Sequence, residues 1–222
     1  DEAWSRLGVL RVGRRGLVSS GAEQVLYAPG PVQSDYYTDG LYAVDASDGE
    51  VLWSVALGAS FKNSAAPAAD GSVYVAAGRK LYSISAEGEI QWQFQLAEDD
   101  VSGVAVRGPV LGEDSTVYVE APGVRRKLYA LNPDGTEKWV IEDLIGSAGT
   151  GFGAGLAVGD NGSIYWGGRN SGGLIAVKPD GSVDWRFVKE SQFVMGPDGT
   201  LYMYSRSGVR ALESEAGGLA AS

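Results

Sequence analysis

The sequence predicts an all-β fold made of repeated four-stranded antiparallel units. Three observations carry that expectation. A short motif recurs four times: LYAVDASDGEVLW (Leu41–Trp53), LYSISAEGEIQW (Leu81–Trp92), LYALNPDGTEKW (Leu128–Trp139) and LIAVKPDGSVDW (Leu174–Trp185). Its tryptophans stand 39, 47 and 46 residues apart, a period typical of radially arranged or stacked repeats. The chain also holds 33 glycines, many in Asp-Gly or Asn-Gly pairs between alternating runs rich in Tyr, Trp, Val and Thr. Such pairs tolerate positive φ and mark tight hairpins.

Taken in order, each unit reads as two strands ahead of the motif and two within it. The leading pairs are GLVSSGAEQVLYA (Gly16–Ala28), AAPAADGSVYVAA (Ala65–Ala77), GPVLGEDSTVYVE (Gly108–Glu120), GLAVGDNGSIYWG (Gly155–Gly167) and QFVMGPDGTLYMY (Gln192–Tyr204). A fifth motif begins as VRALESEAG (Val209–Gly217), and Ala220 stands where its Trp falls due. The missing ending is matched at the other terminus, where Asp1-Glu2-Ala3-Trp4-Ser5 is similar to Glu50-Val51-Leu52-Trp53-Ser54. Counted round the ends, Trp185 to Trp4 is 41 residues, within the range of the other spacings. The expectation is a single domain, 1–222: a five-bladed β-propeller closed by its N-terminal strand, which hides sheet edges that would otherwise aggregate. Its parts are 1–15 as the closing outer strand and linker, then blades at 16–58, 65–99, 108–143 and 155–190. Residues 192–212 form the inner strands of the fifth blade, and 213–222 form a tail.

Composition narrows the function. A net charge of −10 disfavours general affinity for nucleic acid or anionic membranes. No run approaches the roughly 18 apolar residues of a membrane span, so no membrane insertion is expected. Without cysteine there is no disulfide framework or thiol nucleophile. Without histidine the side chain best suited to acid–base work near neutral pH is missing. The acidic stretches Asp45–Gly49 and Gly159–Gly162 lack the ligand spacing and closing Glu of a calcium loop and read as hairpin turns. Glu98-Asp99-Asp100 reads as a solvated connector. No nucleophile elbow or phosphate-cradling glycine pattern is present. The expectation is therefore no enzyme activity, no metal and no cofactor.

The pattern A-x-D-x-x-D-G-x-x-x-W at Ala43–Trp53 resembles the tryptophan-docking repeat of the quinoprotein (PQQ-type) propellers, and the likeness extends from Trp4 to Leu212. That family includes quinone-dependent alcohol dehydrogenases and the non-catalytic outer-membrane assembly lipoproteins called BamB. The resemblance implies that Trp4, Trp53, Trp92, Trp139 and Trp185 are structural, packing between neighbouring blades. It also implies an extracytoplasmic location, periplasmic or secreted. Departures are that Asp45 becomes Ser85, Asn132 and Lys178 in the later copies, and that the dehydrogenases' vicinal cysteine pair has no counterpart. The likeness therefore points to the BamB-like, non-catalytic branch.

Strand order places the turns between strands one and two, and three and four, on one rim, and that rim is acidic. The opposite rim has irregular loops, where recognition groups concentrate. Candidate partner-binding residues there are Tyr36, Tyr37, Arg79, Arg125, Arg126, Arg169 and Arg206, flanked by Lys80 and Lys127. The connectors add Phe61, Lys62, Arg107 and Phe152. Aromatic and Arg side chains are the usual anchors of interfaces. The expected function is a non-enzymatic scaffold for a protein partner. The alternative is a lectin-like propeller binding glycan, and the third reading is a quinone-dependent dehydrogenase relative.

Overall fold

The computed structural model describes residues 18–19, 24–31, 39–58, 61–96, 106–121, 126–142, 155–168, 173–187, 192–196, 200–205 and 208–212. Every regular element among them is a β-strand. The first sheet runs β1 (Val18–Ser19), β2 (Val25–Pro31), β3 (Asp39–Asp45) and β4 (Val51–Ala56). The second runs β5 (Phe61–Pro67), β6 (Val73–Ala77), β7 (Lys80–Ile84) and β8 (Ile90–Gln95). The third runs β9 (Arg107–Leu111), β10 (Val117–Ala121), β11 (Lys127–Leu131) and β12 (Glu137–Glu142). The fourth runs β13 (Leu156–Val158), β14 (Ile164–Gly168), β15 (Gly173–Val177) and β16 (Val183–Phe187). The fifth has three strands, β17 (Gln192–Met195), β18 (Leu201–Ser205) and β19 (Gly208–Leu212). All are sequential antiparallel meanders. The first two sheets lie in one compact unit, with the turn Pro133–Gly135; the other three sheets lie mainly in a second.

Burial explains the strand sequences. β6 (VYVAA) and β10 (VYVEA) are buried at every position, and β7 and β11 at all but the first. Both faces of these strands are covered, so they read as near-continuous apolar runs rather than as alternation. The fourth strands β4, β8 and β12 instead alternate, with Trp53 and Val55, Trp92 and Phe94, and Trp139 and Ile141 on the half-buried face.

Register accounts for the small residue on each third strand. Ala43 pairs with Tyr27 on one side and Trp53 on the other. The rings lean across it until their centroids are 5.9 Å apart. The same row is Tyr74–Ser83–Trp92, Tyr118–Ala130–Trp139 and Tyr165–Ala176–Trp185, with ring separations of 5.7, 5.7 and 6.0 Å. A larger residue at the centre would fill the space where the rings meet. In each of these four sheets the register also shifts immediately after the small residue, so an extra residue on the fourth strand bends it there.

Several strands start earlier than the sequence suggests. Phe61 and Lys62, expected in a connector, belong to β5, which the register irregularity between Phe61 and Ala65 had disguised. Arg107 opens β9, Lys80 opens β7 and Lys127 opens β11, so none of the three is a loop residue. The expected closing strand and linker, 1–15, and the tail, 213–222, lie outside the described residues.

Candidate functional site

The turns between third and fourth strands are docking surfaces for tryptophan. The Trp53 indole N–H donates to the Ala86 carbonyl at 2.7 Å. Trp92 donates to Pro133 O and Trp139 to Pro179 O, each at 2.9 Å. In each case the acceptor is the first central residue of a turn that ends in glycine, at Gly88, Gly135 and Gly181, with φ between +85° and +87°. A Cβ on those glycines would lie 2.7, 2.7 and 2.9 Å from the docked indole. Glycine is required there twice over, by the positive φ and by the ring above it. Trp185 meets Tyr165 and packs beside Leu174, Ala176, Leu201 and Met203. Trp4 lies outside the described residues.

In the turns between first and second strands and between third and fourth strands, several Asp and Asn side chains are engaged by their own backbone. Asp48, Asp70, Asp114, Asn161 and Asp180 each accept from the amide two residues on, at 2.8, 3.0, 3.1, 3.0 and 2.9 Å. Such side chains fix the turn in place of a longer backbone ladder. Asp45 and Asp180 also accept from the hydroxyls of Ser47 and Ser182, and those bonds hold both carboxyls below their ordinary pKa. Asp114 is lowered to about 2, chiefly by the 2.9 Å hydrogen bond from the Lys138 ammonium.

At the opposite end of each sheet run the connections between second and third strands, and their lengths differ. Between β6 and β7 the connection is Gly78-Arg79 alone, whereas between β2 and β3 it spans 32–38. Arg79 is partly exposed, and its carbonyl accepts from the Leu96 amide at 2.9 Å. Arg126 is not the solvent-facing cation expected. It is 6% exposed, its Nε donates to Glu120 Oε1 at 2.7 Å, and its guanidinium lies 4.7 Å from the Trp166 ring centre. A guanidinium can be buried this way because the carboxylate neutralises it and the aromatic face supplies further attraction. Among the described residues the Trp166 indole N–H has no hydrogen-bond partner. Glu120 and Trp166 were not singled out from the sequence. Their signal was faint: Glu120 stands where the second and fourth sheets carry Ala76 and Gly167, and Trp166 where the second and third carry Val75 and Val119. Tyr36, Tyr37, Arg125, Arg169 and Arg206, with the connector residue Phe152, lie outside the described residues. Lys80 and Lys127 reach across to the fourth strands, Lys80 to Gln93 at 3.1 Å and Lys127 to Glu142 at 3.4 Å.

With the repeated Tyr–small–Trp row and its docking turn in view, the comparisons with known proteins are decisive. The family described as outer membrane protein assembly factor BamB, of PQQ-type repeats, matches residues 3–142, more than half of the chain. The chain belongs to this family. Its fold is accordingly the β-propeller of four-stranded antiparallel sheets that the repeats predict. Among solved structures, BamB from Moraxella catarrhalis superposes with a TM-score of 0.67 at 22% identity, over 91% of this chain and 61% of that one. A protein of unknown function from Bacteroides caccae gives 0.59 at 13% identity, over 82% of this chain and 68% of that one. A quinohemoprotein alcohol dehydrogenase from Pseudomonas putida gives 0.57 at 17% identity, over 87% and 41%. At these identities the structures share the fold with this chain. The chain spans between 41% and 68% of their lengths. No curated protein gave a significant match.

Proposed function

We propose that this BamB-family chain is a non-enzymatic scaffold that binds a protein partner outside the cytoplasm. Its binding surface is the set of connections between second and third strands. The carrying observation is an asymmetry between the two ends of each sheet. At one end the turns are short and used up structurally, since they take tryptophan indoles on their carbonyls and cap themselves with their own Asp side chains. At the other end the connections vary in length and carry Arg and Tyr. Loops held on stiff sheets lose little conformational freedom on binding.

The family description, an outer membrane protein assembly factor, supports both a protein partner and an extracytoplasmic place. The non-enzymatic reading is supported by the sequence, which has no cysteine to form the vicinal pair of the quinone-dependent relatives. Arg126 drops out of the binding set because it is buried against Glu120 and Trp166. Arg79, Arg125, Arg169 and Arg206, with Tyr36 and Tyr37, remain.

The test is capture from an envelope extract by the wild-type chain and by Arg79→Glu/Arg125→Glu/Arg169→Glu, with folding checked by circular dichroism. A defined protein retained by wild type and lost by the folded variant is the expected result. Equal capture moves the site off these loops, and capture of glycan alone overturns the protein-partner reading.

A further inference from the structure

We propose that Asn161 is a latent modification site, an amide that the folded β13–β14 turn protects and that converts to Asp or isoAsp once that turn opens. Asn161-Gly162 is the one Asn-Gly pair in the sequence. In such a pair the next backbone nitrogen can attack the side-chain carbonyl carbon, because glycine puts no Cβ in the way and leaves the backbone free to swing. A bond forms from Gly162 N to Asn161 Cγ, and the side-chain nitrogen leaves as ammonia, taking the Gly162 amide proton. The product is a five-membered succinimide. Solvent water then opens the ring without any change of oxidation state. Addition at the side-chain carbonyl gives Asp, and addition at the main-chain carbonyl gives isoAsp.

The turn opposes the first of these steps at both reacting groups. The Gly162 N–H donates to Gly159 O at 2.8 Å, which holds the attacking nitrogen to the far side of the turn. Asn161 Oδ1 accepts from the Ser163 amide at 3.0 Å, which fixes the carbonyl that would be attacked. A third bond, from Gly159 N–H to Ser163 O at 2.9 Å, closes the turn. Attack therefore requires the turn to open, and a local opening of this kind has its own free energy, separate from global unfolding. Access of water is not the restraint, since Asn161 is exposed.

The two products differ in what they do to the fold. In the second sheet Asp70 occupies the same place: Gly71 N–H donates to Ala68 O, and the Ser72 amide donates to Asp70 Oδ1 at 3.0 Å. Asp114 repeats the arrangement in the third sheet, accepting from the Thr116 amide. Asp at 161 is thus a residue that this turn already takes in its neighbours. IsoAsp instead routes the chain through the side chain and adds a methylene to the backbone, immediately below the Val158–Ile164 pair that ends the β13–β14 ladder. The turn also lies close to Pro179, whose Cγ would be 3.1 Å from a Cβ on Gly162 and whose carbonyl receives the Trp139 indole. A lengthened turn therefore disturbs the dock of Trp139 as well as its own hairpin.

The test follows the full chain by peptide mapping and mass spectrometry, in buffer and in urea at the same pH and temperature. The Asn161 peptide is expected to gain the mass difference between an amide and an acid at least about tenfold more slowly in the folded chain, as it does if the turn is open for a tenth of the time or less. Ser163→Pro deletes the N–H that holds Asn161 Oδ1. With its fold checked by circular dichroism, that variant should convert faster than wild type in buffer and at the wild-type rate in urea. Asn161→Asp should melt with wild type, whereas the isoAsp fraction, separated chromatographically, should melt lower. Equal conversion of wild type in buffer and in urea overturns the proposal, as does conversion of Asn63, Asn132 or Asn170 ahead of Asn161 in the unfolded chain.

Discussion

Gly88 lies so close beneath the Trp53 indole that a Cβ on it would be 2.7 Å from the ring carbon Cδ2. The same turn offers the Ala86 carbonyl to the indole N–H at 2.7 Å. The ring therefore meets the backbone of this turn on one side, with one hydrogen bond at its edge, and the Tyr27 ring, 5.9 Å away between centroids, across Ala43. This arrangement repeats at Trp92 over Gly135 and Trp139 over Gly181, so each of these three tryptophans fixes the turn of the next repeat.

That relationship predicts two glycine substitutions of unequal cost. Gly58 has φ +65°, and a Cβ there meets nothing within 4 Å among the described residues. Gly58→Ala bears only the left-handed backbone penalty, about 1 kcal/mol. Gly88→Ala bears that penalty and must displace the indole, adding about 1–3 kcal/mol of overpacking. Thermal unfolding monitored by tryptophan fluorescence should show Gly88→Ala melting several degrees below Gly58→Ala. Equal melting temperatures would mean that the indole gives way freely.

The Asp114–Lys138 pair predicts a pH dependence. The folded-state pKa of Asp114 is lowered to about 2, from an ordinary value of 3.8, by the hydrogen bond from Lys138, with help from Thr116. A depressed carboxyl adds stability that is fully present above its unfolded value and disappears as pH falls through the folded one. The Asp114 side chain is 55% exposed, so solvent screening limits the contribution to under about 1 kcal/mol. Asp114→Asn should be less stable than wild type at pH 6, and the two denaturant midpoints should converge between about pH 4 and pH 2. The gap at pH 6 should narrow in 1 M salt. A gap that persists at pH 2 would assign the effect to the turn's geometry instead of to the charge.

Much of this was legible in the sequence, for a physical reason: a repeat must bury the same faces each time, so its period, its Asp-Gly turns and its tryptophans are written out again in each copy. The small residues Ala43, Ser83, Ala130 and Ala176 were visible as part of the motif, although their purpose appears only with the cross-strand register. Strand starts were harder to read. Phe61 and Lys62 precede a register irregularity, and no Gly or Pro separates them from the rest of β5. Arg126 was misread because its position beside a loop predicts solvent. Its burial depends on Glu120, six residues away in sequence, and on Trp166 in the neighbouring repeat. No local pattern encodes that meeting, which exists only once β10 and β14 are placed.

The buried pair supplies the last prediction. The side chains of Arg126 and Glu120 are 8% and 5% exposed, so the two charges meet away from water. Arg126→Met removes the 2.7 Å bond from Nε to Glu120 Oε1 and the guanidinium over Trp166, and should cost about 1–3 kcal/mol. Glu120→Ala installs the residue that the second sheet already has at Ala76, which is 2% exposed, and the structure accommodates that residue in the repeat. The double variant Glu120→Ala/Arg126→Met should therefore recover more than half of the loss, and a double-mutant cycle in urea measures the coupling directly. Additive losses would show that the two side chains contribute by packing alone, and that the ion pair between them adds nothing to stability.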